Sequence, residues 1–170
     1  DVETGEIVQP IGGRGEIRVR GPQIMSGYRN RPEETAQALR AGWLYTGDIG
    51  ELDAEGNLYI RDRKKDMAIV SGYNVYPREV DEILYAHPDV KEAAAVGVPD
   101  EYRGEIIRAF VVIKNGVATN AEDIIEHCQT NLAKYKVPAS VDIVAELPKT
   151  TVGKVDKLTL RELAVTDSKS

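Results

Sequence analysis

At 170 residues with a 42% apolar fraction, the chain can bury a core, either as one domain or as a domain plus part of another. A formal net charge of -6 argues against nucleic acid as a partner, which requires Lys and Arg clustered on one face of a basic domain, but small anionic ligands stay open because local basic spots outweigh the sum. The single cysteine, Cys128, excludes an internal disulfide and offers no metal-ligand spacing, and no apolar run nears the roughly 18 residues of a membrane-spanning segment.

A reducing, cytoplasmic compartment is the natural expectation, with peripheral membrane contact left open. Asp1–Gly5 lacks the basic and apolar regions of a signal peptide, and with no initiator Met the chain reads as cut from something longer.

Gly15–Arg20 alternates apolar Ile17 and Val19 with charged residues and reads as a half-buried strand, with Gln23–Tyr28 expected to pair with it. Pro32, the acidic Glu33 and Glu34, and Gly42 just beyond Leu39 and Arg40 frame a short helix. Trp43–Leu52 and Leu58–Ile60 read as two strands around the turn Asp53–Asn57. This β-rich start leaves strand edges that a larger body should cover. Asp62–Asp66 is five charged residues in a row, which reads as a solvated connection and not as core. Beyond it Met67–Val70 is a strand candidate that Ser71–Asn74 breaks, and Pro77 opens a helix with Val80, Ile83 and Leu84 on one face, closed by His87 and Pro88.

Val90–Val98 and Ile106–Lys114 suit neighbouring strands. Asn120 is placed to cap a helix, with Asp123 three residues on and Ala121, Ile124, Ile125, Cys128 and Leu132 on its apolar face. Val141–Val144 is a last strand, and Asp156 is placed to cap a final helix through Leu163. Strand and helix alternating over about 100 residues describe a compact α+β domain with its own core.

Three polar motifs bracket the charged connection. In Tyr45-Thr46-Gly47-Asp48, glycine lets the backbone turn sharply and aim the Asp48 carboxylate out of a strand end. A carboxylate accepts two hydrogen bonds at once and suits a vicinal diol, although an Asp in a strand-end turn is common in any protein. Arg63 offers a rigid fork of donors for ribose oxygens, a phosphate or a surface ion pair. Ser71-Gly72-Tyr73 has the form of a loop where something passes close to backbone, or simply of a strand-ending glycine. Pro148-Lys149-Thr150-Thr151-Val152-Gly153-Lys154 presents an ammonium on a loop, and it is no Walker A loop, because the leading Gly is missing and Val155 stands where Ser or Thr would bind magnesium. His87 and His127 have no partner at metal or triad spacing; His87 reads as a helix end and His127 as the exposed side of a helix.

In that order, from about Gly15 to Leu163, these motifs resemble the carboxyl-terminal portion of the adenylate-forming superfamily of acyl-CoA synthetases, luciferases and peptide-synthetase adenylation domains. The resemblance implies residues 1–62 as the β-rich end of a large amino-terminal domain's barrel subdomain, 63–66 as hinge, and 67–165 as the lid. The lid would hold a mixed or antiparallel sheet and about three helices, with a frayed tail at 166–170. It further implies that Asp48 and Arg63 hold the ATP ribose and phosphate, that Lys65 is the pivot, that Ser71, Gly72 and Tyr73 line the pantetheine tunnel, and that Lys154 is the catalytic lysine of adenylation.

The function so implied is an ATP-dependent ligase joining a carboxylic acid, most like a long-chain fatty acid, to CoA by way of acyl-AMP. Mg2+ would be bound mainly by the missing amino-terminal domain, and the piece alone would be silent. Where some relatives have Arg the chain has Asn74, leaving Arg103 and Lys134 or Lys136 as substitutes for a CoA phosphate contact. A lid feeding a carrier protein and a noncatalytic interaction module are the alternatives.

Overall fold

The computed structural model describes residues 1–167, so of the expected tail only 166 and 167 fall within it, and residues 168–170 lie outside the described residues. The chain divides into two compact units, one spanning Asp1–Lys65 and the other running from Asp66 onward.

The first unit is an antiparallel sheet built on one long strand. Strands β1 (Arg14–Val19), β2 (Leu39–Arg40) and β4 (Leu58–Arg63) all pair with β3 (Trp43–Leu52), and helix α1 (Pro32–Ala38) precedes β2. The β3–β4 turn is tied by Asp53, whose carboxylate accepts from the Glu55 amide at 3.0 Å, the Asn57 amide at 2.7 Å and the Asn57 side chain at 2.9 Å. Those bonds, the Asn57 side chain first, hold the Asp53 carboxyl below its ordinary range.

Three expectations fail in this unit. Gln23–Tyr28 forms no strand: Gly21 and Pro22 turn the chain, the Tyr28 amide donates to the Thr35 hydroxyl of α1, and the partner of β1 is β3. Leu39 and Arg40 leave the helix and pair with Leu44 and Trp43, because Ala41 (φ 49°) and Gly42 (φ 80°) make a two-residue hairpin turn where the sequence suggests the end of a helix. Finally, the charged run is not all solvent: Arg63 is still in β4, and Asp62 is only 6% exposed.

The second unit is an α+β domain around a mixed sheet of β5 (Ala68–Val70), β6 (Tyr73–Val75), β7 (Val90–Asp100), β8 (Gly104–Ile113) and β9 (Ser140–Ile143). All its pairings are antiparallel except β8 with β9. Helices α2 (Pro77–Ala86), α3 (Ala121–Asn131) and α4 (Lys157–Asp167) cover it. Alternation along β7 and β8 sends Ala93, Ala95, Ile107, Ala109 and Val111 into one cluster with Val80 and Leu84 of α2 and Ile124 and Cys128 of α3. Ala94, Val96, Val98, Phe110 and Val112 join a second cluster with Leu147 and with Leu160 and Ala164 of α4. The four-residue steps within each helix put these pairs on one stripe.

Caps fall where the polar residues suggest them. The Asn120 side chain accepts from the Asp123 amide at 2.9 Å, and Asp156 accepts from the amides of Leu158 at 3.1 Å and Thr159 at 3.2 Å. The free edge of β7 is covered by Asp81, which accepts from the Ala95 amide at 2.6 Å and pairs with Lys157 at 2.7 Å. Two expectations change here. Tyr73 and Asn74 do not simply break β5 but start β6, across a two-residue turn at Ser71 (φ 51°) and Gly72 (φ 83°). His127 is half-buried, its Nε2 lying 3.0 Å from the Ile83 carbonyl and its ring edge-on to His87.

Candidate functional site

Asp48 and Arg63 are cross-strand neighbours on β3 and β4, and the Arg63 Nε lies 3.2 Å from Asp48 Oδ1. Asp48 sits within β3, not at a strand end; the sharp local turn is real, but it is a bulge opposite β1, where the register jumps between Glu16 and Arg18. Gly47, at φ 73°, adopts the left-handed backbone this bulge needs. Thr46 fixes the bulge from both sides, donating its hydroxyl to the Ile17 carbonyl at 2.9 Å and accepting from the Asp48 amide at 3.1 Å.

Glu16 escaped sequence reading, since alternation marks it as one more charged residue between Ile17 and its neighbours. Its side chain is only 6% exposed, accepts from the Gly47 amide at 3.2 Å and pairs with Lys64 at 2.8 Å. The result is a pre-set carboxylate and guanidinium side by side, half-open to solvent, able to accept from a diol and donate to an oxyanion.

In the second unit the Ser71–Gly72 turn is pinned by the Ser71 amide, which donates to the Arg103 carbonyl at 2.8 Å. A methyl on Gly72 would meet nothing within 4 Å, so the turn's left-handed backbone, and no contact inside the chain, explains the glycine. Tyr73 is exposed and stacks on Tyr135 with ring centroids 4.5 Å apart. Of the basic residues near this turn, Lys136 is committed to Glu79 at 2.7 Å, while the side chains of Arg103 and Lys134 are exposed.

Lys154 lies on a short hairpin in which Lys149 bridges Val155, the Thr150 amide donates to the Lys154 carbonyl at 2.7 Å, and the Gly153 amide donates to the Thr150 carbonyl at 2.8 Å. Thr151–Lys154 are exposed, and the Lys154 ammonium makes no ion pair among the described residues. Lys149 reaches Glu92, near the start of β7, at 2.9 Å. The Ser71–Gly72 turn adjoins Arg103 and Gly104, where the opposite end of β7 turns into β8. Since β7 runs 11 residues, the lysine hairpin and the glycine turn sit at ends of the sheet on the order of 30 Å apart.

Lys65 is exposed in the 3-10 turn Lys64–Asp66, at the boundary between the units. Asp66 is tied within its own unit to Arg161 of α4 at 3.7 Å, and Arg161 also donates to the Gly97 carbonyl. Among the described residues no group of three or more His, Cys, Asp or Glu could hold a metal ion. No helix of the described chain is long and apolar enough to cross a membrane.

Residues 79–154 match the family model of the AMP-binding enzyme C-terminal domain. This chain carries that domain. It is 53% identical over 160 residues to the long-chain-fatty-acid–CoA ligase of Bacillus subtilis, an alignment covering 94% of this chain and 28% of that protein. It is 48% identical over 149 residues to the 2-succinylbenzoate–CoA ligase of Geobacillus kaustophilus, covering 88% of this chain and 30% of the relative. The structure of ATP-bound MatB from Rhodopseudomonas palustris superposes with a TM-score of 0.86 at 39% identity, over 91% of this chain and 31% of MatB. The chain therefore spans between a quarter and a third of the length of these relatives, and the AMP-binding C-terminal domain accounts for its second unit from α2 to the Lys154 hairpin.

Proposed function

We propose that the chain acts as the carboxyl-terminal portion of a cytoplasmic ATP-dependent fatty acyl-CoA ligase, completed by an amino-terminal domain that brings the acyl pocket and most of the ATP site. In the first half-reaction a carboxylate oxygen of the acid attacks the α-phosphorus of ATP, the bond to the β-phosphate bridge breaks, and pyrophosphate leaves. In the second, the CoA sulfur, its thiol proton lost, attacks the acyl carbon and AMP departs with the electrons of the acyl–oxygen bond.

Asp48 accepts from the ribose hydroxyls in this reading, and Arg63, held beside it at 3.2 Å, donates to ribose or phosphate oxygen. Lys154 offers a point charge to the negative charge that develops between the carboxylate and the α-phosphate, the kind of interaction that matters most when it is strongest in the transition state. Ser71, Gly72 and Tyr73 line the path of the pantetheine thiol, where backbone without a side chain leaves room. Among the described residues no group of three or more His, Cys, Asp or Glu could hold a metal ion, and in this reading Mg2+ would be held mainly by the amino-terminal domain.

The observation that carries the proposal is the placement of the Lys154 hairpin and the Gly72 turn at opposite ends of one sheet. A rigid domain with that layout cannot bring both ends to one reacting centre together, so two half-reactions at a single site require it to swing. Lys65, exposed at the unit boundary in the expected hinge 63–66, is the pivot, with 67–165 as the moving lid and 1–62 belonging to the larger body. The identity with the Bacillus subtilis ligase favours a long-chain fatty acid as substrate.

In the full-length protein containing this chain, Lys154→Ala is expected to lower carboxylate-dependent ATP–pyrophosphate exchange about 10²- to 10³-fold while thioester formation from supplied acyl-AMP and CoA persists. Exchange at the wild-type rate would remove Lys154 from the chemistry, and the proposal with it.

A further inference from the structure

The hairpin bearing Lys154 is held by a short ladder, closed at its base by the Asp156 amide donating to the Pro148 carbonyl at 2.8 Å and near its tip by the Lys154 amide donating to the Thr150 hydroxyl at 3.3 Å. Its tip, Thr151–Lys154, is exposed, and its apolar anchors are Leu147 before it and Val155 at its end, both in the cluster under α4. Because side chains alternate along a strand, Lys149 and its cross-strand partner Val155 share the face that docks on the domain, and Lys154 takes the opposite, outward face. On the docked face Lys149 ties the hairpin to the sheet, reaching Glu92 of β7 at 2.9 Å. Lys91 also approaches Glu92, but only to 3.9 Å.

We infer that Glu92 and Lys149 form a positioning pair for Lys154: their ion pair sets the docked face of the hairpin, and through the alternation of the strand it aims the ammonium of Lys154. The inference rests on the proposed role of Lys154 and adds two residues that do not touch substrate. A hairpin with so short a ladder has weakly specified pairing, and a slip of one residue would turn Lys154 toward the sheet. Both partners are charged at neutral pH, since each shifts the other in the sense of a formed pair: Glu92 lies below its ordinary value chiefly through Lys149, and Lys149 lies above its own chiefly through Glu92.

An exposed pair of this kind moves an equilibrium by no more than about fivefold, so that is the scale of the effect. Two measurements test it. In the full-length protein, Glu92→Gln and Lys149→Met should each slow ATP–pyrophosphate exchange about fivefold. The double variant should be no slower than either single one, Lys149→Arg should restore most of the rate, and thioester formation from supplied acyl-AMP should be unchanged. In this chain alone, both neutralising variants should speed amide hydrogen exchange at Gly153 and Lys154 by a similar factor without moving the melting temperature.

If Lys149→Met slows adenylation while Glu92→Gln does not, Lys149 meets the nucleotide directly and the positioning role is overturned; it is overturned equally if neither variant changes the exchange of the hairpin amides. Failure of the catalytic reading looks different. There Lys154→Ala itself leaves pyrophosphate exchange intact, whatever the hairpin amides do.

Discussion

Downstream of Asp66 the apolar side chains gather into two clusters on opposite faces of one sheet, each closed by helices. Upstream, Ile49 is the one large side chain that is fully buried, while Ile7, Val8, Ile11, Leu58 and Ile60 are all more than half exposed. The same alternation of apolar and polar residues thus has two outcomes. In the second unit both faces of the sheet find helices, and in the first they do not. A sheet with solvated apolar faces is marginal alone, because the area it removes from water must outweigh the ordering of its chain. The second unit is self-sufficient on this measure, and the first is not.

The largest effect that would break this contrast comes from separating the units. Residues 66–170 alone should unfold in one cooperative transition close to that of the whole chain, and residues 1–65 alone should show no cooperative transition by circular dichroism. A sharp melt from residues 1–65 would refute the contrast outright. The chain supplies its own probes for this in the intact form: the one Trp, Trp43, lies in the first unit, and the one Cys, Cys128, is buried in the second. On adding denaturant, Trp43 fluorescence should change before the Cys128 thiol becomes reactive.

A pair of leucine truncations sharpens the comparison at the next scale. Leu84 is fully buried between α2 and the sheet, so Leu84→Ala should cost about 2–5 kcal/mol by denaturant unfolding read at Cys128. Leu58 is 51% exposed, so Leu58→Ala should stay within about 0.5 kcal/mol. Equal costs would mean that the first unit buries its leucines in a way the exposures do not express.

The third effect is set by pH and belongs to the second unit alone. Burial pushes the Cys128 thiol up from 9.0 to about 11. The folded value lies above the unfolded one, so between these limits the unfolded chain gives up its proton while the folded chain keeps it. The contribution is therefore whole below pH 9 and is lost as pH rises through about 11. A loss on the order of 2 kcal/mol is expected over that range, and it should vanish in Cys128→Ala, which separates it from the titration of tyrosines and lysines. An unchanged pH profile in Cys128→Ala would show that the thiol meets more water than its burial implies.

What the sequence reveals of this molecule divides along the same line. The helices of the second unit announce themselves through four-residue apolar steps and polar caps, and Asn120 and Asp156 cap where their positions suggest. The elements it hides are short or are decided elsewhere. β6 is three residues long, too short to carry a period, and Leu39–Arg40 joins a strand only because β3 offers an edge. The buried Asp62 looks like its charged neighbours in a one-dimensional reading.

At the candidate positions, the motifs around Asp48 in the first unit and around Gly72 and Lys154 in the second are visible as residues, but their supports are not. Glu16 meets Lys64, and Glu92 meets Lys149, across separations that no local pattern encodes. Only the pairing of β1 with β3 and the run of β7 beneath the hairpin bring those partners together.

The smallest expected effect on stability falls at the exposed Ser71–Gly72 turn. Gly72 has a left-handed backbone and open space where a Cβ would stand, so Gly72→Asn, a residue that tolerates this conformation, should change stability by only about a few tenths of a kcal/mol. Gly72→Ala, which tolerates it less, should cost about 1 kcal/mol. If the glycine served the turn alone, activity would follow stability and Asn would be nearly silent. The proposed tunnel predicts the reverse ranking. Both variants put atoms where the thiol passes, so thioester formation from acyl-AMP should fall most with the larger Asn, the less destabilising change, while ATP–pyrophosphate exchange holds. That inversion, a milder fold defect with a stronger block of one half-reaction, sets an open surface kept clear for a ligand apart from one that is merely solvated.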